Sequence, residues 1–207
     1  MDGAPGYDSS GKKGNLLYKP QGSSIRSSSM EIIPLSLPGL KLIRLRAFDD
    51  DRGFFKECYR KPRYDDLGIR DDFPQDNISF SKKDVLRGMH FQSDPGQSKL
   101  VSVVSGRIYD VAVDIRPDSP YFGKWEGVFL EGGVHEQLYI PVGFAHGFCV
   151  VSDAGAFVHY KVSAPYDEVT ERTFRFDDPA VAIQWPTSSP LVSSRDQGAP
   201  SLKESLP

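Results

Sequence analysis

Residues 87–92 read Arg-Gly-Met-His-Phe-Gln and contain His90, one of the chain's 4 histidines. Arg87 lies three positions before it, and Lys99 follows Gln92 by seven, opening the apolar run Leu100-Val101-Ser102-Val103-Val104. A histidine, a lysine and an arginine this close can supply one base and two fixed positive charges. That set suits a reaction that builds negative charge on a substrate oxygen. A base that titrates near neutrality removes a proton, and a cation holds the charge left behind. The same hexapeptide also reads as a strand with an ordinary core or surface histidine, and the residues alone leave both readings open.

Around these side chains the chain reads as strand and turn. Residues 107–115 alternate, with Tyr109, Val111 and Val113 on one face and Asp110 and Asp114 on the other. Further strands are expected over 99–104, 125–130, 138–140, 148–151 and 157–162, punctuated by Pro117-Asp118-Ser119-Pro120, Glu131-Gly132-Gly133 and Asp153-Ala154-Gly155. Upstream, 31–48 reads as two short strands around Pro38-Gly39, 54–59 as an aromatic strand after a turn, and 61–67 as a short helix. Residues 78–81 alternate like a half-buried strand. If it begins at Gln75, then Gln75 and Asn77 share a face, toward a polar cavity or toward water. Short strands at this spacing mean an all-β sandwich or barrel. The ordered part is expected to close at residues 182–186.

A length of 207 residues suits one domain with tails. Residues 1–30 are rich in Gly, Ser and Lys and almost lack apolar side chains, so they are expected to be a disordered extension or an appended tag. A single domain is expected over 31–200, with 201–207 as a tail. The net charge of −3 argues against a nonspecific nucleic-acid partner. Cys58 and Cys149 are too few for a disulfide framework, and Cys149 sits in an apolar run as a small hydrophobe. No apolar run approaches bilayer-spanning length, and the first residues lack a signal-peptide core. The expectation is a cytoplasmic protein with no membrane partner.

Residues 141–146, Pro-Val-Gly-Phe-Ala-His, have the form P-x-G-x-x-H between two strands. The proline and glycine make a tight turn and His146 enters the next strand. This resembles the second motif of the cupin superfamily, whose jelly-roll β-barrel holds its site at the mouth. The first cupin motif supplies H-x-H and a later acidic residue to a metal; here the matching residues are His90-Phe91-Gln92, with Lys99 where an acid might be sought. A cation beside a cation is unfavourable. The donor set is poor for a closed metal site, so the expectation is a cupin with no metal and no other cofactor.

The resemblance sharpens when the pieces are taken in order. Asp51-Arg52-Gly53-Phe54-Phe55, Gln75-Asp76-Asn77, residues 85–92, Gln97-Ser98-Lys99-Leu100-Val101 and residues 109–116 are similar to those of dTDP-4-dehydrorhamnose 3,5-epimerases. So are Ser119-Pro120, residues 122–125, residues 140–148, Tyr160-Lys161, Asp177-Asp178-Pro179 and Ile183-Gln184-Trp185-Pro186. The ordered set spans roughly 32 to 200 without a large insertion.

That resemblance implies a chemistry and a cast. In the family's dTDP-4-keto-deoxysugar substrate, the C4 ketone acidifies the hydrogens at C3 and C5. Removing one leaves an enolate, and reprotonation from the other face inverts the carbon. The resemblance assigns the base to His90, the partner of the enolate oxygen to Lys99, and the acid on the opposite face to Tyr160. Residues 190–196, Pro-Leu-Val-Ser-Ser-Arg-Asp, match the family's P-x-L-S-x-K-D with Arg195 for Lys and Val192 for Leu. Asp196 is thereby implied to orient His90, although on the residues alone it sits in a Ser/Pro-rich tail that looks disordered. Asp178 is a competing carboxylate, but Asp-Asp-Pro reads as a turn.

For binding, the resemblance implies Arg87 and Arg52 near the diphosphate or sugar, with Arg52 able to reach a partner subunit's site; two planar forks suit a diphosphate. On residues alone Arg52 also reads as a solvated turn charge. Gln75, Asn77, Glu57 and Lys161 are weaker candidates, Tyr166 lies near the sugar, and His146 is a positioning residue. A homodimer is implied, with the segment 31–37 pairing across the interface. The rival readings are a single-carbon (C3 or C5) epimerase, a metal-dependent cupin, and a non-catalytic nucleotide-sugar-binding cupin.

Overall fold

A computed structural model describes residues 30–206. The expectations for residues 1–29 lie outside the described residues. The chain forms strands β1 (Glu31–Ile33), β2 (Lys41–Arg44), β3 (Ala47–Asp50) and β4 (Gly53–Lys56), then helix α1 (Lys61–Asp66). There follow β5 (Gln75–Ser81), β6 (Val85–Gln92), β7 (Lys99–Ser105), β8 (Arg107–Asp114), β9 (Trp125–Glu131), β10 (Glu136–Ile140), β11 (Phe144–Val150), β12 (Ala156–Val162) and β13 (Glu171–Thr173). Last come β14 (Leu191–Val192), α2 (Ser194–Gln197) and α3 (Leu202–Ser205).

Two sheets face each other. One runs β1-β2-β10-β7-β12-β5; the other runs β13-β6-β11-β8-β9, with β14 pairing on β6, and β3–β4 stand apart as a hairpin. Val101, Val103, Leu138, Ile140 and Val158 of the first sheet meet Ile108, Ala112, Leu130, Phe144, Phe148 and Val150 of the second. This is the all-β, cupin-type jelly-roll barrel that the motifs predict, with only short helices among the described residues.

The outward faces are partly covered as well. On the second sheet, Met89, Phe91, Val111, Val113 and Ala145 pack under Phe174, Val181, Ile183 and Leu202. On the first, Leu100 and Tyr139 pack with Tyr64 of α1 and Ile69. Strand β11 is therefore buried at every position, which explains why it reads as a continuous apolar run rather than an alternating one.

The C-terminal part departs from expectation. The ordered chain does not close at Pro186: β14 runs parallel to β6, Leu191 opposite Val85. Nor do residues 201–206 trail as a tail. Ser201 and Glu204 form a reciprocal capping box on α3, and Leu202, only 4 % exposed, enters the cluster on the second sheet. Two apolar residues, Leu202 and Leu206, suffice to seat this short segment because a core face is left open for it. At the other end of the chain, β1 pairs with β2, Ile32 opposite Ile43, as the end strand of its sheet. Among the described residues no helix is long and apolar enough to cross a membrane.

Candidate active site

Between the sheets lies a cavity of about 340 Å³. Strand alternation decides what faces it. Along β5, Gln75, Asn77 and Ser79 line the cavity, while Ile78 and Phe80 are exposed on the other face. The first sheet also contributes Lys99 of β7 and Tyr160 of β12; the second contributes Arg87 and His90 of β6 and His146 and Phe148 of β11. Gln97, Tyr166 and Glu171 close its edge.

Arg87 and His90 are three positions apart, an odd step that regular alternation would put on opposite faces. A bulge resolves this. His146 of β11 stands opposite His90 and Phe148 opposite Arg87, so three steps on β6 face two on β11. Gly88 makes the bulge possible: its φ is +132° and a Cβ there would lie 2.6 Å from the Cα of Gly147. The glycines in Arg-Gly-Met-His and in His-Gly are thus two sides of one close approach.

His90 Nε2 lies 2.7 Å from Asp196 Oδ1. The other carboxylate oxygen accepts the Gly88 backbone N–H at 3.4 Å, so the glycine that bulges the strand also holds the acid. Asp196 is 3 % exposed. Burial opposes its charged form, but the bonds from His90, Gly88 and Ser193 outweigh burial and hold the carboxyl below its usual range. Ser193 caps α2 by accepting the Asp196 N–H at 3.1 Å, and β14 delivers that helix to β6. The tail that looks disordered from composition is a strap carrying the histidine's partner.

A second pair lies beside the first. His146 Nε2 is 2.9 Å from Asp110 Oδ1, and the buried Asp110 Oδ2 has no hydrogen-bond partner among the described residues. Lys99 is 6 % exposed, and its Nζ donates to the His90 carbonyl at 3.3 Å. Burial pulls its ammonium down to about 8, against the opposing pull of Glu171 and Asp110. Burial pushes the Tyr160 phenol up, with Arg87 acting the other way. Arg87 is oriented by Nε donation to Ser81 Oγ at 2.9 Å. Gln75 Nε2 donates to Asn77 Oδ1 at 2.9 Å, and its Oε1 accepts the Tyr166 N–H at 3.0 Å.

Seven of the twelve residues singled out from sequence thus line the cavity, namely His90, Lys99, Tyr160, Gln75, Asn77, Arg87 and His146, and Tyr166 joins them at its edge. Asp196 stands behind His90. Three do not reach the cavity. Lys161 follows Tyr160 on β12 and so points to the other face, bonded to Asp76 at 2.6 Å. Glu57 pairs with Arg60 and Arg63. Arg52 sits at the exposed tip of the β3–β4 hairpin against Asp50. Sequence reasoning passed over Ser79, Gln97, Phe148 and Glu171. Ser79 and Phe148 follow from continuing the period of two from Asn77 and His146. Glu171, which pairs with Arg195 at 2.7 Å, carries no local signal. Among the described residues no group of three or more His, Cys, Asp or Glu is arranged to hold a metal ion.

Comparison with known proteins agrees with this geometry. Residues 34–204 match the family described as dTDP-4-dehydrorhamnose 3,5-epimerase. The chain is 45 % identical over 169 residues to the dTDP-4-dehydrorhamnose 3,5-epimerase of Shigella flexneri, covering 81 % of this chain and 93 % of that one. It is 40 % identical over 177 residues to a dTDP-4-dehydrorhamnose 3-epimerase of Streptomyces niveus, covering 84 % and 85 %. Its fold superposes with a TM-score of 0.82 on the dTDP-6-deoxy-D-glucose-3,5-epimerase of Legionella pneumophila, at 46 % identity, over 86 % of this chain and 97 % of that one, a structure solved in complex with dTDP-4-keto-L-rhamnose. The matched span takes in both sheets apart from β1, and the strap that returns Asp196 to the barrel, and the chain belongs to the dTDP-4-dehydrorhamnose 3,5-epimerase family of isomerases.

Proposed function

We propose that the protein inverts C3 and C5 of dTDP-4-dehydro-6-deoxy-D-glucose to give dTDP-4-dehydro-L-rhamnose, a step in dTDP-L-rhamnose biosynthesis. The observation that carries this reading is the His90–Asp196 pair facing Lys99 and Tyr160 across one cavity. His90 takes the proton α to the C4 ketone, and the electron pair moves onto the ketone oxygen. Asp196 fixes the imidazole's tautomer and stabilises its protonated form. Lys99 holds the enolate oxygen. Tyr160 returns a proton to the carbon from the other side. Base and acid stand on opposite sheets, β6 and β12, so a flat enolate between them is approached on one face by each. Arg87 and the Gln75–Asn77 pair serve the rest of the dTDP-sugar.

Proton NMR of the substrate with the enzyme in D₂O tests the reading. Both the C3 and the C5 proton signals should vanish with wild type and persist with His90→Ala. Exchange at one carbon alone would establish the single-carbon reading, which the likeness to a 3-epimerase keeps in play. No exchange at either carbon would sink both.

A homodimer fits the surface. On the outer face of the first sheet, Ile78, Val104, Phe80 and Phe157 are all exposed, the two phenylalanine rings 4.8 Å apart. Large apolar side chains grouped this way mark an interaction surface, and the proposed occupant is a second copy. The exposed β3–β4 hairpin then offers Arg52 to that copy's cavity. Sedimentation should give twice the chain mass for wild type and the chain mass for Phe80→Glu; a monomeric wild type refutes the assignment. The free thiols of Cys58 and Cys149 support a reducing compartment, which we read as the cytoplasm.

A further inference from the structure

Asp178 is a buried carboxylate outside the cavity. It is 2 % exposed. Its Oδ1 accepts the Ala180 backbone N–H at 2.8 Å, and its Oδ2 accepts the Leu202 backbone N–H at 2.7 Å. These two donors belong to different stretches, one in the turn after β13 and one at the first residue of α3. Beside them, the Arg175 N–H donates to the Pro200 carbonyl at 2.8 Å. The side chain therefore staples the end of the strap to the layer that covers the second sheet.

What hangs from the staple is Asp196, six residues before Leu202. It sits in α2, a helix of 4 residues. So short a helix has no stability of its own, and its placement is set by its tethers. Upstream these are the two-residue β14 and the bond from Arg195 to Glu171. Downstream the tethers are the Asp178–Leu202 bond, its Arg175–Pro200 neighbour and the Leu202 side chain among Met89, Phe91 and Phe174.

We infer that Asp178 is a positioning residue for the His90–Asp196 pair: it holds the strap from below so that the Asp196 carboxylate meets His90. A carboxylate suits this task because two converging N–H donors need two acceptor oxygens; an amide would turn its NH₂ toward one of them. The inference rests on the proposed epimerisation with His90 as base.

The test is a double-mutant cycle read by solvent-deuterium exchange into the substrate, with KM and thermal unfolding measured beside it. Asp178→Asn should lower kcat by about 10- to 100-fold, the scale expected when a catalytic group is misplaced by ~1 Å, and change KM less than about two-fold. Asp196→Asn should lower kcat further. The double variant should be no slower than Asp196→Asn alone, because without the carboxylate nothing is left to position. Leu202→Pro removes the same bond from the donor side, together with the buried leucine side chain that is another of the strap's tethers. Its site is a first helical position, where proline is tolerated, and Ser201 already has φ −66° and ψ 161°, as a residue before proline requires. It should show at least that loss and the same non-additivity with Asp196→Asn, and it carries the cycle if Asp178→Asn does not fold. Wild-type kcat in Asp178→Asn and Leu202→Pro, or losses that multiply with that of Asp196→Asn, would overturn the inference. Failure of the underlying reading shows earlier, as an Asp196→Asn variant with wild-type activity before Asp178 is touched.

Discussion

Replacing Lys99 by methionine separates what this residue does for catalysis from what it costs the fold. The side chain is 6 % exposed, and burial lowers its ammonium from 10.5 to about 8. At roughly 1.4 kcal/mol for each tenfold change, that drop corresponds to ~3 kcal/mol of stability forgone below pH 8. Methionine has similar length and no charge to desolvate. Against the relief stands the bond to the His90 carbonyl, whose loss costs about 1 kcal/mol. The expected net effect is a variant about 1–2 kcal/mol more stable at pH 7, with proton exchange slowed on the order of 10²- to 10³-fold for want of an enolate partner. The pH dependence carries the sign. Between about pH 8 and 10.5 the unfolded chain still holds the proton that the folded chain has released. Wild-type stability therefore rises relative to the variant, and the gap closes. Urea unfolding of both proteins at pH 7 and pH 10, with exchange kinetics at pH 7, reads all of this. A methionine variant that is less stable at pH 7, or a gap that does not change with pH, refutes the reasoning.

Asp196→Asn removes a charge-assisted bond worth about 1.5–3 kcal/mol, so kcat should fall at least ~10-fold with little change in dTDP affinity by calorimetry. Because the Asp196 carboxyl titrates below its unfolded value, its contribution to stability is complete above about pH 5 and is lost as pH falls through the folded value; the stability difference between wild type and this variant should therefore shrink toward pH 3 in urea titrations. Gly88→Ala places a Cβ 2.6 Å from the Gly147 backbone at a φ of +132°. It should lower stability by roughly 1–3 kcal/mol and exchange activity along with it, since the bulge aims both Arg87 and His90. An alanine variant with wild-type melting temperature and rate would show that the bulge is not needed.

The fold was legible because period-two patterning survives wherever one sheet face meets water, as along β5. It was less legible where both faces are covered. Strand β11 reads as an apolar run whether it is a strand or not, and only Pro141, Gly143 and His146 betray its role. The four candidate catalytic residues came from matching the chain's motifs to a family, and no local period would have marked Tyr160 among the tyrosines. Lys161 was misplaced for a simple reason: its neighbour faces the cavity, and adjacent residues on a strand cannot both do so. Arg87 and His90 show the opposite case. Their spacing argues against a shared face, and the bulge at Gly88 puts them on one.

By itself the sequence determined the short alternating strands, the glycines and prolines that turn them, and the order of chemistry-bearing motifs along the chain. These are local properties, written in side-chain period and backbone freedom. Tertiary structure alone decided that residues 187–206 are ordered, that Asp196 reaches a histidine 106 positions earlier, and that Asp178 staples the strap in place. The Ser/Pro-rich strap has too little apolar surface to order itself. It gains its place from a two-residue parallel pairing, one buried leucine and a few bonds to backbone, all offered by a sheet face that exists only once the barrel has closed.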